Sequence, residues 1–86
     1  MRTLYIGNLS RHVSDADLGA LFAPYGAVAW ANVVRDKDKG ISQGFGFVEM
    51  ESELFAAAAT LALHGLAFRG KRIKVNEAKP RKSLPA

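Results

Sequence analysis

Residues 43–50, with the sequence QGFGFVEM, alternate between two kinds of side chain. Phe45, Phe47 and Glu49 occupy every second position, and glycine, valine or methionine fills the positions between and after them. Successive side chains of a strand point to opposite faces of its sheet, so this pattern predicts a strand over Gly44–Met50. One face of the strand suits a core, and the other carries two aromatic rings.

A second short β-type segment lies at the start of the chain. Leu4, Tyr5 and Ile6 form a run that is closed by Gly7 and Asn8, which predicts a first strand. Tyr5 alternates with the two aliphatic residues. If these aliphatic residues face the core, the tyrosine ring lies on the opposite face of the same sheet.

Capping residues predict two helices. Ser14 is a good N-cap for a helix that Pro24 and Gly26 end, and Ser52 is a good N-cap for an alanine-rich helix that runs to about His64. Leu18, Leu21 and Phe22 lie on one face of the first helix. One face of the second helix carries Ala56, Ala59, Thr60 and Leu63.

Two further strands complete the pattern. Val28–Val34 fits a second strand whose core face is continuous only if a bulge intervenes, and a polar turn over 36–40 follows it. Arg72–Asn76 predicts the fourth strand. The order is βαββαβ, which predicts an α+β, ferredoxin-like fold with a four-stranded antiparallel sheet and two helices on one face. We expect one domain over 1–78 and a basic, flexible tail over 79–86.

This topology brings the aromatic residues together. The first and third strands are the central pair of such a sheet, and both helices cover its other face. Tyr5, Phe45 and Phe47 therefore lie side by side on a face left open to solvent. Exposed aromatic clusters indicate a binding surface, and flat rings can stack nucleobases with roughly 1–3 kcal/mol per base.

The two strand segments also resemble a known family. Leu4–Leu9 (LYIGNL) is similar to the hexamer motif of the RNA recognition motif family, and Gln43–Met50 is similar to its octamer motif. The resemblance covers residues 2–78. Together with the sequence over 74–81, it makes the chain similar to small bacterial RNA-binding proteins with a single such domain, the cyanobacterial type in particular.

The resemblance implies roles for individual residues. Tyr5 and Phe47 would each stack one base, and Phe45 would pack against the sugars between them. The sequence departs from the motif at Gln43, where the family prefers a lysine or arginine that pairs with phosphate. It departs again at Met50, which we expect to face the core and to affect packing alone.

Other predicted RNA contacts surround the aromatic cluster. Alternation along the second strand places Trp30 and Asn32 on the sheet face that carries this cluster. We expect Asn32, Asn76 and Glu77 to read base identity. The formal net charge is +4, and seven basic residues lie between Arg69 and Lys82, which favours an anionic partner. The expected phosphate contacts are Arg35, Lys37, Lys74, Lys79 and Arg81.

The function predicted from these features is non-catalytic binding of single-stranded RNA, with single-stranded DNA as an alternative ligand. A domain that binds proteins through the same fold is the competing hypothesis. A small hydrolase of the acylphosphatase type would need an anion-binding loop after the first strand, and Gly7–Arg11 shows no glycine-rich cradle. No metal-ligand set or cofactor motif is visible.

Remaining features concern location and assembly. The chain has no cysteine and no apolar run near the length of a membrane span, so we expect a cytoplasmic location without membrane contact. This length fits either a small protein or one domain of a longer chain. Leu54, Phe55 and Leu61 face outward on the second helix, which predicts weak self-association or a protein partner; scattered surface residues are the alternative.

Overall fold

The computed structural model describes residues 2–78, and the predicted tail over 79–86 lies outside them. A short 3-10 turn over Ala23–Tyr25 extends the first helix. The elements are β1 (Arg2–Gly7), α1 (Asp15–Phe22), β2 (Val28–Arg35), β3 (Ser42–Met50), α2 (Glu53–Leu63), β4 (Ala67–Phe68), β5 (Lys71–Arg72) and β6 (Lys74–Glu77).

The main sheet has the strand order β2-β3-β1-β6, and all its neighbouring strands are antiparallel. β1 and β3 are therefore the central pair, as the sequence predicted. With two helices on one face of four antiparallel strands, the fold is the ferredoxin-like βαββαβ arrangement.

A small hairpin between α2 and the last strand was not predicted. β4 pairs with β5 outside the main sheet, so the fourth strand of the main sheet begins at Lys74 and not at Arg72. Arg69 and Gly70 connect the two strands with φ angles of 53° and 86°. Two consecutive positive φ angles are typical of the tight type I′ hairpin turn.

The core lies between the sheet and the two helices. β1 contributes Leu4 and Ile6 to it, and β3 contributes Val48 and Met50, so Met50 faces the core as expected. The buried helix residues are Leu18, Phe22, Ala56, Ala59 and Leu63. Each strand therefore has one buried face, and its opposite face is turned away from both helices.

A bulge in β2 allows the apolar residues of that strand to share the core face. The pairing with β3 shifts between Val28 and Trp30 and again between Val33 and Arg35. Between these shifts Val33 is buried in the core, and Trp30 remains on the other side of the sheet, 46% exposed. The predicted bulge is confirmed.

The N-terminus of α1 is closed by a capping box. The Ser14 hydroxyl accepts from the Asp17 backbone N–H at 3.1 Å, and the Asp17 carboxylate accepts from the Ser14 backbone N–H at 3.1 Å. The bond from the Ser14 backbone holds the pKa of Asp17 below its usual value, and the Arg69 guanidinium, 3.1 Å away, acts in the same direction.

Side chains cover part of both edges of the sheet. At the β2 edge, the Asp15 carboxylate accepts a hydrogen bond from the Val33 backbone N–H at 2.7 Å. At the β6 edge, Nδ1 of His64 accepts one from the Val75 backbone N–H at 3.1 Å. His64 is exposed and has this structural contact.

Candidate nucleic-acid interface

The sheet surface that points away from the helices, here called the open face, carries a row of four side chains. Tyr5 is the direct partner of Phe47 on one side and of Asn76 on the other, and Phe47 is in turn the partner of Asn32. Directly opposed residues of antiparallel strands share a face. The row across the sheet is therefore Asn32, Phe47, Tyr5 and Asn76, with rings in the middle and amides at both ends.

Phe45 joins the two rings of this row to form an aromatic cluster. The ring centres of Tyr5 and Phe45 are 5.9 Å apart, those of Tyr5 and Phe47 are 5.8 Å apart, and those of the two phenylalanines are 6.2 Å apart. Two of the three pairs are close to edge-on, which is a favourable arrangement for aromatic rings. The cluster holds its rings in place through mutual contacts and leaves ring surface exposed, because all three residues are only half-buried.

Gly7 makes room for the tyrosine ring. A Cβ atom at Gly7 would lie 2.9 Å from the Tyr5 hydroxyl oxygen and 3.0 Å from Cε2 of its ring. The ring therefore lies along the strand, over the glycine that follows it two residues later. The glycine of the hexamer segment is thus part of the ring's support as well as the end of the strand.

This surface belongs to a recognisable domain. The family model described as the RNA recognition motif matches residues 4–74, which is most of the chain.

The chain belongs to the RNA recognition motif family.

Relatives of this RNA recognition motif chain support the assignment. It is 47% identical over 81 residues to RbpA of Synechocystis sp., a protein named for RNA binding, and the match covers 94% of this chain and 80% of RbpA. It is 48% identical over 79 residues to the RbpA of Nostoc sp., where the match covers 92% of this chain and 78% of that protein.

Solved structures agree with the fold. The crystal structure of RNA Binding Protein PG1 matches with a TM-score of 0.91 and 43% identity, and covers 94% of this chain and 98% of PG1. A complex of Sex-lethal protein with RNA matches with a TM-score of 0.87 and 34% identity, over 92% of this chain and 47% of the Sex-lethal chain.

A second row lies beside the first on the open face of this RNA recognition motif. Glu49 is the direct partner of Trp30 in β2 and of Thr3 in β1. Glu49 is two residues from Phe47 along the strand, which separates the rows by about 6.7 Å. Trp30 therefore stands at the edge of the open face next to a carboxylate.

The predicted basic residues lie on the two outer strands and the adjoining loop, at the strand ends nearest Phe45. Lys74 is exposed on β6, opposite Gly7. Arg35 ends β2, and Lys37 lies in the loop between β2 and β3; both are exposed, as is Gln43 on the other side of that loop. The predicted contacts Lys79 and Arg81 lie outside the described residues.

The loop that carries Lys37 is itself ordered by hydrogen bonds. The Asp36 carboxylate accepts from the backbone N–H groups of Asp38 and Lys39 at 2.7 and 3.4 Å, and the Asp36 N–H donates to the Ile41 carbonyl at 2.8 Å. This confirms the polar turn that the sequence predicted. The turn fixes the position from which Arg35 and Lys37 extend.

Glu77 does not belong to the open face. It is the direct partner of the core residue Leu4, so its side chain lies on the helix side of the sheet, where its carboxylate is 3.7 Å from the Arg2 guanidinium. The expectation that it reads bases beside Asn76 is wrong, because alternation along β6 places neighbouring residues on opposite faces. Two basic residues of the 69–82 stretch have protein contacts: Arg69 pairs with Asp17, and Arg72 donates to the Gly65 carbonyl at 3.4 Å.

Within residues 2–78, no cluster of three or more histidine, cysteine, aspartate or glutamate side chains could hold a metal ion. In the same part of the chain, no helix is long and apolar enough to cross a membrane.

Proposed function

We infer that this chain binds single-stranded RNA as a non-catalytic domain. The aromatic cluster on the open face carries this conclusion, because three half-exposed rings in mutual contact occupy the centre of a sheet surface that neither helix covers. Such a surface is costly in water and favourable under stacked bases. Relatives named for RNA binding, and the fold it shares with a protein bound to RNA, support the same function.

In this proposal Tyr5 and Phe47 each stack a base, and Phe45 packs against the sugars between them. Asn32 and Asn76 lie at the two ends of the same row, where their amides can donate to and accept from base edges. Trp30 extends the stacking surface at the β2 edge.

Basic side chains at the margins would hold the phosphates. Arg35, Lys37 and Lys74 are exposed around the cluster, and Gln43 adds a neutral donor. Lys79 and Arg81 supply further charge from the tail in this proposal. Two or three stacked bases, less the cost of ordering a flexible strand, correspond to a dissociation constant on the order of micromolar.

The stacking surface selects single strands over duplexes, since paired bases already stack on one another. Single-stranded DNA presents the same base faces, and we propose that it binds to the same surface. The bacterial relatives are named for RNA binding, so we propose that RNA is the ligand in the cell. We propose the cytoplasm as the location.

The test separates binding from folding. Phe47→Ala should lower the affinity for a short single-stranded RNA by roughly 1–3 kcal/mol and change thermal stability little. The matched truncation Leu18→Ala, at a residue with no exposed surface, should cost about 2–5 kcal/mol of folding stability. RNA titrations beside thermal melts measure both, and an unchanged affinity in Phe47→Ala would contradict the stacking proposal.

We also propose that a second copy of the chain binds to the outer side of α2. Leu54 and Leu61 are 75% and 86% exposed, and with Ala58 between them they form an apolar strip here called the α2 ridge. Phe55 lies beside this strip and is 49% exposed; the rest of its ring packs on its own domain, where a Cβ at Gly26 would lie 2.7 Å from its Cδ2.

Charge favours an antiparallel arrangement of two α2 ridges. Glu51 and Glu53 lie at the N-terminal end of the helix, where Glu53 also pairs with Arg2 of its own domain at 3.0 Å, and Arg72 lies at the C-terminal end, bonded to the Gly65 carbonyl. A two-fold axis through Ala58 would place each acidic end beside the partner's basic end, and each Leu54 against the partner's Leu61. Four leucines at roughly 1.5–3 kcal/mol each just offset the cost of association, so the dimer is weak.

Analytical ultracentrifugation of the wild type and of a Leu54→Glu, Leu61→Glu variant tests this assembly. We expect concentration-dependent dimerisation of the wild type and its loss in the variant, with RNA affinity for a single short site unchanged in both. A wild type that stays monomeric at millimolar concentration would show that the α2 ridge is ordinary surface.

A further inference from the structure

We propose that Trp30 and Glu49 form a subsite that selects guanine. This inference rests on the proposed binding of single-stranded RNA and names the base preference of one position on the open face. Glu49 places a carboxylate on that face, which is unexpected for a surface that binds a polyanion.

The carboxylate of Glu49 lies within the open face and not at its margin. Its direct neighbours are Trp30 on β2 and Thr3 on β1, and Phe47 lies two residues away on the same strand. Among residues 2–78, no cation lies within ion-pair distance of this carboxylate, and no hydrogen-bond donor of the protein reaches it. It is half-buried. An unpaired acid here repels phosphate, so it lowers the affinity for RNA unless the ligand supplies donors to it.

The bases differ in the donors that they can offer to a carboxylate. The Watson–Crick edge of guanine has two adjacent donors, N1–H and the exocyclic N2 amine, which match the two oxygens of a carboxylate. Adenine and cytosine offer one amine beside a bare ring nitrogen, and uracil offers one N–H between two carbonyl oxygens, so each would place an acceptor against the carboxylate. Paired hydrogen bonds to a charged acceptor are among the strongest polar contacts.

Trp30 supplies the other half of the subsite. Its indole is 46% exposed at the edge of the open face, directly beside Glu49. A base stacked on the indole lies one row from a base stacked on Phe47, at about 6.7 Å along the strands, which is a short step for consecutive nucleotides of a single strand. The base then presents its edge to the neighbouring carboxylate.

The test uses labelled hexauridylate and a series in which one uridine, at each position in turn, is replaced by guanosine, inosine or adenosine. We expect one guanosine position to raise the affinity of the wild type on the order of tenfold or more over uridine and adenosine, as for a good bidentate base contact. Inosine lacks the N2 amine and should lose most of that gain. Replacement by 7-deazaguanosine, which keeps both donors, should retain it.

Two charge-matched variants identify the carboxylate responsible. Glu49→Gln should bring the ratio of guanosine to adenosine affinity close to one. Glu51→Gln removes the same charge from an exposed residue just beyond β3 and should leave the ratio unchanged. Trp30→Leu should weaken binding of the guanosine oligonucleotide by about fivefold or more through the lost stack. Thermal melts check that each variant is folded.

The outcomes separate this inference from the function on which it rests. If no oligonucleotide binds, the proposed function itself fails. If oligonucleotides bind without a guanosine gain, or if the gain persists in Glu49→Gln, the guanine subsite is overturned and RNA binding by the aromatic cluster stands.

Discussion

Gly7 and Gly46 lie in β1 and β3, the two strands that carry the aromatic cluster. Replacing each with alanine should have opposite effects on folding stability and on RNA binding. At Gly46, a Cβ would lie 2.6 Å from the Asn32 carbonyl oxygen, 3.1 Å from the Val33 Cα and 3.1 Å from a methyl group of Leu18. Two of these atoms belong to the backbone of β2, which cannot move without disturbing the sheet. Overpacking of this kind costs typically 1–3 kcal/mol.

At Gly7, the three atoms nearest to the added methyl all belong to the tyrosine side chain, and its hydroxyl oxygen is 2.9 Å away. A side chain can rotate away at little cost to the fold, but the Tyr5 ring would then leave the position proposed for stacking a base. Gly7→Ala should therefore weaken RNA binding by about fivefold to tenfold, which is a partial loss of one stack, while the melting temperature stays within a few degrees of the wild type.

Gly46→Ala should show the reverse behaviour. A cost of about 1–2 kcal/mol lowers the melting temperature by roughly 5–15 °C in a domain of this size, and the folded fraction should bind RNA with nearly normal affinity. Thermal melts and RNA titrations below the transition measure the pair. If Gly7→Ala bound RNA normally, the idea that this glycine supports the tyrosine ring would be wrong.

Three further outcomes follow from electrostatics and from the sheet edges. The pKa of Asp17 is lowered in the folded state, so the stability that its carboxylate contributes is present above the ordinary carboxyl pKa and is lost as pH falls through the folded value. The melting temperature of Asp17→Asn should therefore depend less on pH below 5 than that of the wild type, and identical pH profiles would exclude this role. If roughly 3–4 phosphates are neutralised, the logarithm of the binding constant should fall with log salt at a slope of about −2 to −3; deletion of residues 80–86 should flatten the slope, whereas a slope near zero in the intact chain would exclude phosphate contacts. His64→Ala should speed hydrogen exchange of the Val75 amide selectively, because that N–H loses its acceptor at the β6 edge; unchanged exchange would show that the imidazole does not protect it.

Local sequence patterns predicted the strands and helices well where one residue decides the structure. Ser14 and Ser52 cap both helices as expected, because a hydroxyl at that position satisfies backbone donors whatever packs nearby. Alternation along β3 placed Phe47 correctly, because one helix-facing side of the strand must be apolar. The bulge in β2 was also predictable, since the apolar residues of that strand cannot share a face without it.

The features that sequence patterns missed depend on unusual backbone angles or on distant contacts. Arg69 takes a positive φ, which arginine rarely adopts, so the segment before β6 gave a weak turn signal and the hairpin was overlooked. The contacts of Asp15 and His64 with strand backbones join residues 18 and 11 positions apart, and no local pattern specifies them. Glu77 lies on the opposite face from Asn76, as alternation along β6 requires.

The side chains at the two sheet edges restrict which molecules this domain can bind. Peptides commonly attach to a sheet by extending it, with their own N–H and C=O groups pairing with an exposed strand. Such a peptide would here have to displace the Asp15 carboxylate from β2, or the His64 imidazole from β6. A nucleic acid has no peptide backbone to add as a further strand. In the proposed binding mode it lies across the face of the sheet, so these edge contacts do not have to be broken. The domain can therefore leave three aromatic rings partly exposed to solvent, while its edge contacts oppose the pairing of another polypeptide strand with its sheet.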